Sequence, residues 1–280
     1  MRFRYPLLLI ALIPATALAW GDGCKFQADR AGGVEASGVE KVVIRAGAGD
    51  MKVIGRGNAI RIEARGMACA ARQELVDATQ ISVRREGNVV YVETTLPQND
   101  DGDWHFGNSD YAYIDLGIAL PTNIPVEAID SSGDATFEDL KALTLQDSSG
   151  DLNLNRIAGV LDVSDSSSDI EIEGAGSVRV RDSSGDIDVD EVRGDVDVVN
   201  DSSGDIEIAK VDGSVRVEQD SSGSIRAEHV KGSVTVDSDS SGDIYAGYVG
   251  GDFTVTDDSS GSISHESITG RISVPKNKED

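Results

Sequence analysis

The sequence predicts an all-β protein: a single-domain parallel β-solenoid with coils of about 17–19 residues. Three observations carry that prediction. The phrase Asp-Ser-Ser-Gly-Asp, or a close variant, begins at Asp130, Asp147, Asp165, Asp182, Asp201, Asp220, Asp239 and Asp258, in steps of 17, 18, 17, 19, 19, 19 and 19 residues. Between the phrases, aliphatic residues alternate with Asp, Glu and Arg, the period of a strand with one buried face. Like residues also recur in like slots from one copy to the next. A period this short and steady marks one unit stacked on itself, because such a unit cannot bury its apolar face alone.

One coil shows the logic. After Asp182 come Ile187 and Val189, a corner at Val192 with Gly194, then Val196 and Val198 before Asp201. The same slots hold Ile206, Ile208, Val211, Val215 and Val217, then Ile225, Ala227, Val230, Val234 and Val236, then Ile244, Ala246, Val249, Phe253 and Val255. Each coil is thus two short strands and two tight corners, with Gly213, Gly232, Gly251 and Gly270 at the second corner. A helix would need apolar residues every three to four positions, and a two-sheet sandwich would show no fixed repeat of one turn sequence. At about 4.8 Å per coil, eight coils make a segment roughly 38 Å long. The preference of parallel crossovers predicts right-handed winding.

Taken in order, residues 1–19 read as a signal peptide: Arg2 and Arg4, an apolar run from Leu7 to Ile13, and Ala17-Leu18-Ala19 as a small-residue cleavage site. The run is shorter than a membrane span requires, so no span is expected in the mature chain. Gly21-Asp22-Gly23 argues against a lipid anchor at Cys24. Residues 20–129 carry a weaker form of the strand pattern and are expected to form irregular coils and a cap. Val42, Ile44 and Ala46 lead into Gly49-Asp50-Met51-Lys52-Val53, and Ile60 and Ile62, Ile81 and Val83, Val90 and Val92, and Ile114 to Leu120 read as further strands. Residues 130–274 form the regular repeat, and 275–280 a polar tail.

Cys24 and Cys69 are expected to pair as a disulfide in an oxidising compartment, since two cysteines without nearby histidines suit a metal poorly. The net charge is −25, and −27 once Arg2 and Arg4 leave with the signal peptide. That sign excludes nucleic acid and anionic membrane surfaces as natural partners.

The repeated corner has a structural explanation in its residue types. Asp accepts hydrogen bonds from nearby backbone N–H groups, Ser does so more weakly, and Gly takes the positive φ of a sharp corner. Asp130, Asp147, Asp165, Asp182, Asp201, Asp220, Asp239 and Asp258 are therefore expected as a turn ladder along an outer acidic seam. Stacked carboxylates one strand spacing apart repel by roughly 0.9 kcal/mol even in water, which would draw cations. Calcium takes oxygen ligands of this kind, and a weakly bound Ca²⁺ would fall to Asp182, Asp186, Asp201 and Asp205. The nonapeptide of calcium-binding β-rolls is absent, so no cofactor is required. An ice-binding hydroxyl array would need flat faces rather than charged corners.

Residues 98–113 break the pattern, with Asp101, Asp103, Trp104, His105, Phe106 and Tyr111 in an acidic, aromatic-bearing stretch. Loops of this composition carry function, which makes it the candidate partner-contact site. Packing of Trp104 and Phe106 on the side of the solenoid is the alternative. His229 reads as a solvated corner residue, and His265 occupies an inward slot of a loosened last coil.

Gly49-Asp50-Met51-Lys52-Val53, the Leu120-Pro121 step, and the Ser-Gly-Asp-Ile runs ending at Ile187, Ile206 and Ile244 resemble a bacterial family of exported β-strand-repeat proteins known as putative adhesins, similar to GIN-type domains. The resemblance spans roughly Val34 to Val274. It implies a β-helical exported protein of the periplasm or cell surface and supplies no catalytic residues. The expected function is a non-enzymatic cell-envelope protein that binds a protein or an envelope polysaccharide. An acidic cation-binding module is the alternative, and a polysaccharide-active β-helix enzyme a more distant one. An enzyme would need loops inserted between coils to build a cleft, and the coils from Asp182 onward repeat at constant length.

Overall fold

The computed structural model describes residues 24–97 and 110–275. The signal-peptide residues, most of the 98–113 stretch and residues 276–280 lie outside the described residues. The first part of the chain forms β1 (Phe26–Glu35), β2 (Lys41–Arg45), β3 (Met51–Arg56), β4 (Arg61–Ala70), the short helix α1 (Gln73–Ala78), β5 (Gln80–Glu86), β6 (Val89–Thr95), β7 (Ala112–Pro121), β8 (Val126–Ile129), β9 (Ala135–Glu138) and β10 (Leu143–Gln146). Two long strands follow, β11 (Leu152–Ser164) and β12 (Ile170–Arg181), each covering both sides of its coil without a break. The remaining coils contribute β13 (Ile187–Val192), β14 (Val196–Asn200), β15 (Ile206–Val211), β16 (Val215–Val217), β17 (Ile225–Val230), β18 (Val234–Asp239), β19 (Ile244–Val249), β20 (Phe253–Asp258), β21 (Ile263–Ile268) and β22 (Ile272–Ser273).

These strands stack into two parallel ladders, as the repeat requires. The first runs β3, β9, β11, β12, β13, β15, β17, β19, β21. The second runs β2, β8, β10, β11, β12, β14, β16, β18, β20, β22. Ile170, Ile187, Ile206, Ile225, Ile244 and Ile263 are direct partners in one column. Val178, Val196, Val215, Val234 and Phe253 form the facing column, every member at most 3% exposed. The core is therefore a file of aliphatic columns continuous from Val42 to Val255.

The corner between the two ladders has a backbone device. Along β13 the inward residues are Ile187, Val189 and Val192, spaced by two and then three. Glu191 takes up the extra residue in the left-handed region at φ 61, which resets the alternation and turns the chain. The same conformation recurs at Asp139, Arg156, Lys210, His229, Tyr248 and Ser267, while Gly174 fills the remaining copy. The second-corner glycines serve another need than the positive φ of the Asp-Ser-Ser-Gly glycines. At Gly213, Gly232, Gly251 and Gly270 the requirement is space: an added Cβ would lie 2.5–2.8 Å from the carbonyl oxygen of the equivalent glycine one coil earlier.

The N-terminal part departs from a simple run of weaker coils. β1 pairs antiparallel with β4 and β4 with β7, which joins the first ladder through β3. β5 and β6 form an antiparallel hairpin turned at Gly87, φ 64, and β6 joins the second ladder through β2. Arg30 holds α1 against β1 by donating to the carbonyl oxygens of Val76 and Thr79 at 2.7 and 2.8 Å, at the C-terminal end of the helix. Cys24 and Cys69 are joined in a disulfide with Cα atoms 5.6 Å apart, tying the start of β1 to β4.

Candidate functional site

The Asp-Ser-Ser-Gly corner is built from the inside outward. From Asp130 to Asp239 the first Asp of each copy turns into the coil, and in four of these copies its Oδ1 accepts the amide of the following serine or the next one: Ser131 on Asp130 at 2.8 Å, Ser183 on Asp182 at 2.6 Å, Ser203 on Asp201 at 3.3 Å and Ser241 on Asp239 at 3.2 Å. Asp130, Asp147, Asp165, Asp182, Asp201, Asp220 and Asp239 are consequently 0–6% exposed, and only Asp258, in the penultimate coil, stays half-buried. The expected outer seam of these residues is thus an inner column. An outward-pointing carboxylate would leave the serine amides at the corner without their acceptor.

The outer acidic row belongs to the fifth residue of the phrase. Asp186 donates its amide to Asp169 Oδ1 at 2.9 Å, Asp205 to Asp186 at 2.8 Å, and Ser224 to Asp205 at 2.8 Å. Each carboxylate thereby clips the coil after it. This division also separates the four residues considered for calcium: Asp182 and Asp201 face inward while Asp186 and Asp205 are exposed. Among the described residues, no three Asp, Glu, His or Cys side chains are placed to hold a metal ion.

Of the contact loop, Asp101, Asp103, Trp104, His105 and Phe106 lie outside the described residues. Tyr111 is described: its hydroxyl accepts the Lys25 amide at 3.2 Å and its ring stacks on Tyr113 with centroids 6.2 Å apart. Tyr113 is the strand partner of Cys69. The C-terminal end of that stretch therefore joins the body beside the disulfide.

A second surface was not foreseen. The outer face of the first ladder carries Glu171, Glu173, Asp188, Asp190 and Glu207 around a shallow groove of about 330 Å³. Lys210 reaches Asp190 at 2.7 Å. Burial, and then repulsion from Glu207, Glu171 and Asp190, holds the Asp188 carboxyl above the usual carboxylate range. One coil further the chemistry changes. Arg226 bonds Glu228 at 2.7 Å and lies 4.5 Å from the centre of the Tyr245 ring. Tyr245 floors an adjoining groove of about 380 Å³ that also includes Asp205, Ser224, Asp243, Ser262 and Ser264. At the edge of this face His229 stacks on Tyr248, centroids 4.8 Å apart and planes within 9°, and the Tyr248 hydroxyl donates to Glu266 at 3.2 Å. The signal was present in the sequence: Arg226 and Tyr245 break the acidic run of Glu171, Asp188 and Glu207 in their slot, and His229 and Tyr248 bring rings to a corner position that holds Glu191 and Lys210 in the two coils before.

The family model described as Toastrack DUF4097 matches residues 56–274, nearly all of the ladders just described. The chain belongs to the Toastrack DUF4097 family. Solved structures with this architecture include a protein of Parabacteroides merdae ATCC 43184 described as a putative adhesin. It is 10% identical over 89% of this chain and 96% of its own, with a TM-score of 0.50. A protein of Parabacteroides distasonis ATCC 8503 described as a putative lipid binding protein is 16% identical over 89% and 97%, with a TM-score of 0.45. At such identities the likeness to the first shows the fold alone. No curated protein matches the sequence. The Toastrack assignment and the adhesin description of a structural neighbour agree with the resemblance read from the repeats.

Proposed function

We propose that this Toastrack protein is a non-enzymatic, exported cell-envelope protein that binds an envelope polysaccharide across the outer face of its first ladder. The observation that carries the reading is the patch of Tyr245, Arg226, His229 and Tyr248 beside open, serine- and carboxylate-lined grooves. An exposed aromatic ring offers an apolar face to the flat side of a sugar, while Ser, Asp and Arg supply its hydroxyls with donors and acceptors. Regular coils keep the surface shallow, which suits a long chain laid across it better than a small substrate enclosed for reaction. Export is supported by the signal-like start and the Cys24–Cys69 disulfide. Adhesin names among solved structures of the same fold accord with an interaction role.

Titration of the mature protein with purified envelope polysaccharide tests the reading. Tyr245→Ala is expected to weaken binding about five- to tenfold, the worth of one aromatic contact, with an unchanged melting temperature. Equal binding by wild type and Tyr245→Ala, or binding confined to a protein component of the envelope, would overturn it.

A further inference from the structure

The inner aspartate column has no part in that surface, since no outside partner can touch it. Seven carboxyl groups, each at most 6% exposed, stand in single file one coil apart. Every one keeps an oxygen with no hydrogen-bond partner, and Asp147 and Asp220 keep two. Asp220 is the sharpest case, fully buried between Asp201 and Asp239 with neither oxygen partnered.

The groups that face the column are all acidic. They are Asp50 near Asp130, Asp186 near Asp201, Asp258 beyond Asp239, and the members themselves. Among the described residues, no Lys, Arg or His forms an ion pair with any of the seven. The donors that reach them are the amides of the corner serines and the hydroxyl of Ser168, which bonds Asp165 at 2.7 Å. Several bare carboxylates cannot share such a site, because burial without a counter-charge is costly and like charges in file repel. A proton on a carboxyl removes its charge and turns an acceptor into a donor for the free oxygen of its neighbour.

We propose that the column is a proton-binding site of the folded chain, in which neighbouring aspartates share protons at neutral pH and link consecutive coils by carboxyl-to-carboxylate hydrogen bonds. Folding at neutral pH then takes protons up from solvent, and unfolding returns them. Burial, as the leading cause, pushes Asp182, Asp201 and Asp239 up to about 6 and Asp130 and Asp220 up to about 7. These values lie above those of the unfolded chain, so the stabilisation is complete below about pH 4 and is lost as pH rises through 6 to 7.

The test uses the full mature chain. Infrared spectra at pH 7 are expected to show the carbonyl stretch of protonated carboxyl groups in the folded protein and its loss on unfolding. The wild-type melting temperature is expected to fall by about 10 °C between pH 5 and pH 8, as several shifted carboxyls would produce in a protein of this size. Asp220→Asn, which carries a permanent donor, is expected to melt no lower than wild type at pH 8 and to show a shallower pH slope. Absence of the infrared band in the folded wild-type protein overturns the proposal independently of any variant. So does a wild-type melting temperature that rises with calcium well beyond equal ionic strength of sodium while Asp220→Asn melts lower at pH 8, since that pattern marks a resident cation.

Discussion

Gly223→Ala is expected to destabilise the protein by about 3–5 kcal/mol. Two costs combine at this corner. Gly223 sits at φ 130, a conformation L side chains rarely adopt, and holding alanine there costs about 1–3 kcal/mol. Its Cβ would also lie 1.7 Å from the carbonyl oxygen of Gly204, so the two coils must part. Parting them strains the bond from the Gly204 amide to the Ser222 carbonyl oxygen, 3.2 Å long, and disturbs the columns at Ile206 and Ile225 on either side. Urea unfolding followed by circular dichroism measures the loss, with Gly57→Ala as the control because nothing lies within 4 Å of a Cβ added there. A Gly223→Ala midpoint matching that of Gly57→Ala would refute the account of the corner.

Opening the disulfide ranks next. Cys24 and Cys69 close a loop with a separation of 45 residues, and releasing it returns about 4 kcal/mol of chain entropy to the unfolded state. The bond fastens β1, whose ladder pairing is with β4 alone among the described strands, so its loss lets β1 peel and uncover the backbone edge of β4. Cys24→Ser with Cys69→Ser is expected to lower the urea midpoint and to speed hydrogen exchange in residues 26–35 before the coils beyond Asp130 respond. Uniform exchange along the whole chain, or an unchanged midpoint, would show that the staple does not act on the cap.

The ladders were legible because register in a solenoid is written in the sequence: Ile187, Ile206, Ile225 and Ile244 share a column by virtue of equal spacing. The antiparallel pairing of β1, β4 and β7 was not, because alternation reports which face is buried and says nothing of strand direction. The corner phrase misled in the opposite way. Asp beside two serines and a glycine reads as a solvated turn, yet the serine amides point into the coil and take the carboxylate with them. At the outer face, Tyr245 and Arg226 were visible as single departures from the repeat, but their meeting 4.5 Å apart depends on stacking of β17 on β19. The apolar spacing of two and then three in every regular coil did mark the left-handed corner, in a form that only the backbone angles make plain.

That corner has a consequence for how such a protein can change. Asp139, Arg156, Glu191, Lys210, His229, Tyr248 and Ser267 hold a strained conformation that glycine would adopt without cost, and each projects its side chain into solvent at the same height in its own coil. Behind them the inward neighbours are nearly all Val or Ile. The result is a ruled margin of interchangeable letters bound to an unchanging spine, along which charge, aromaticity and size can be rewritten coil by coil while the binding that holds the volume together is left alone.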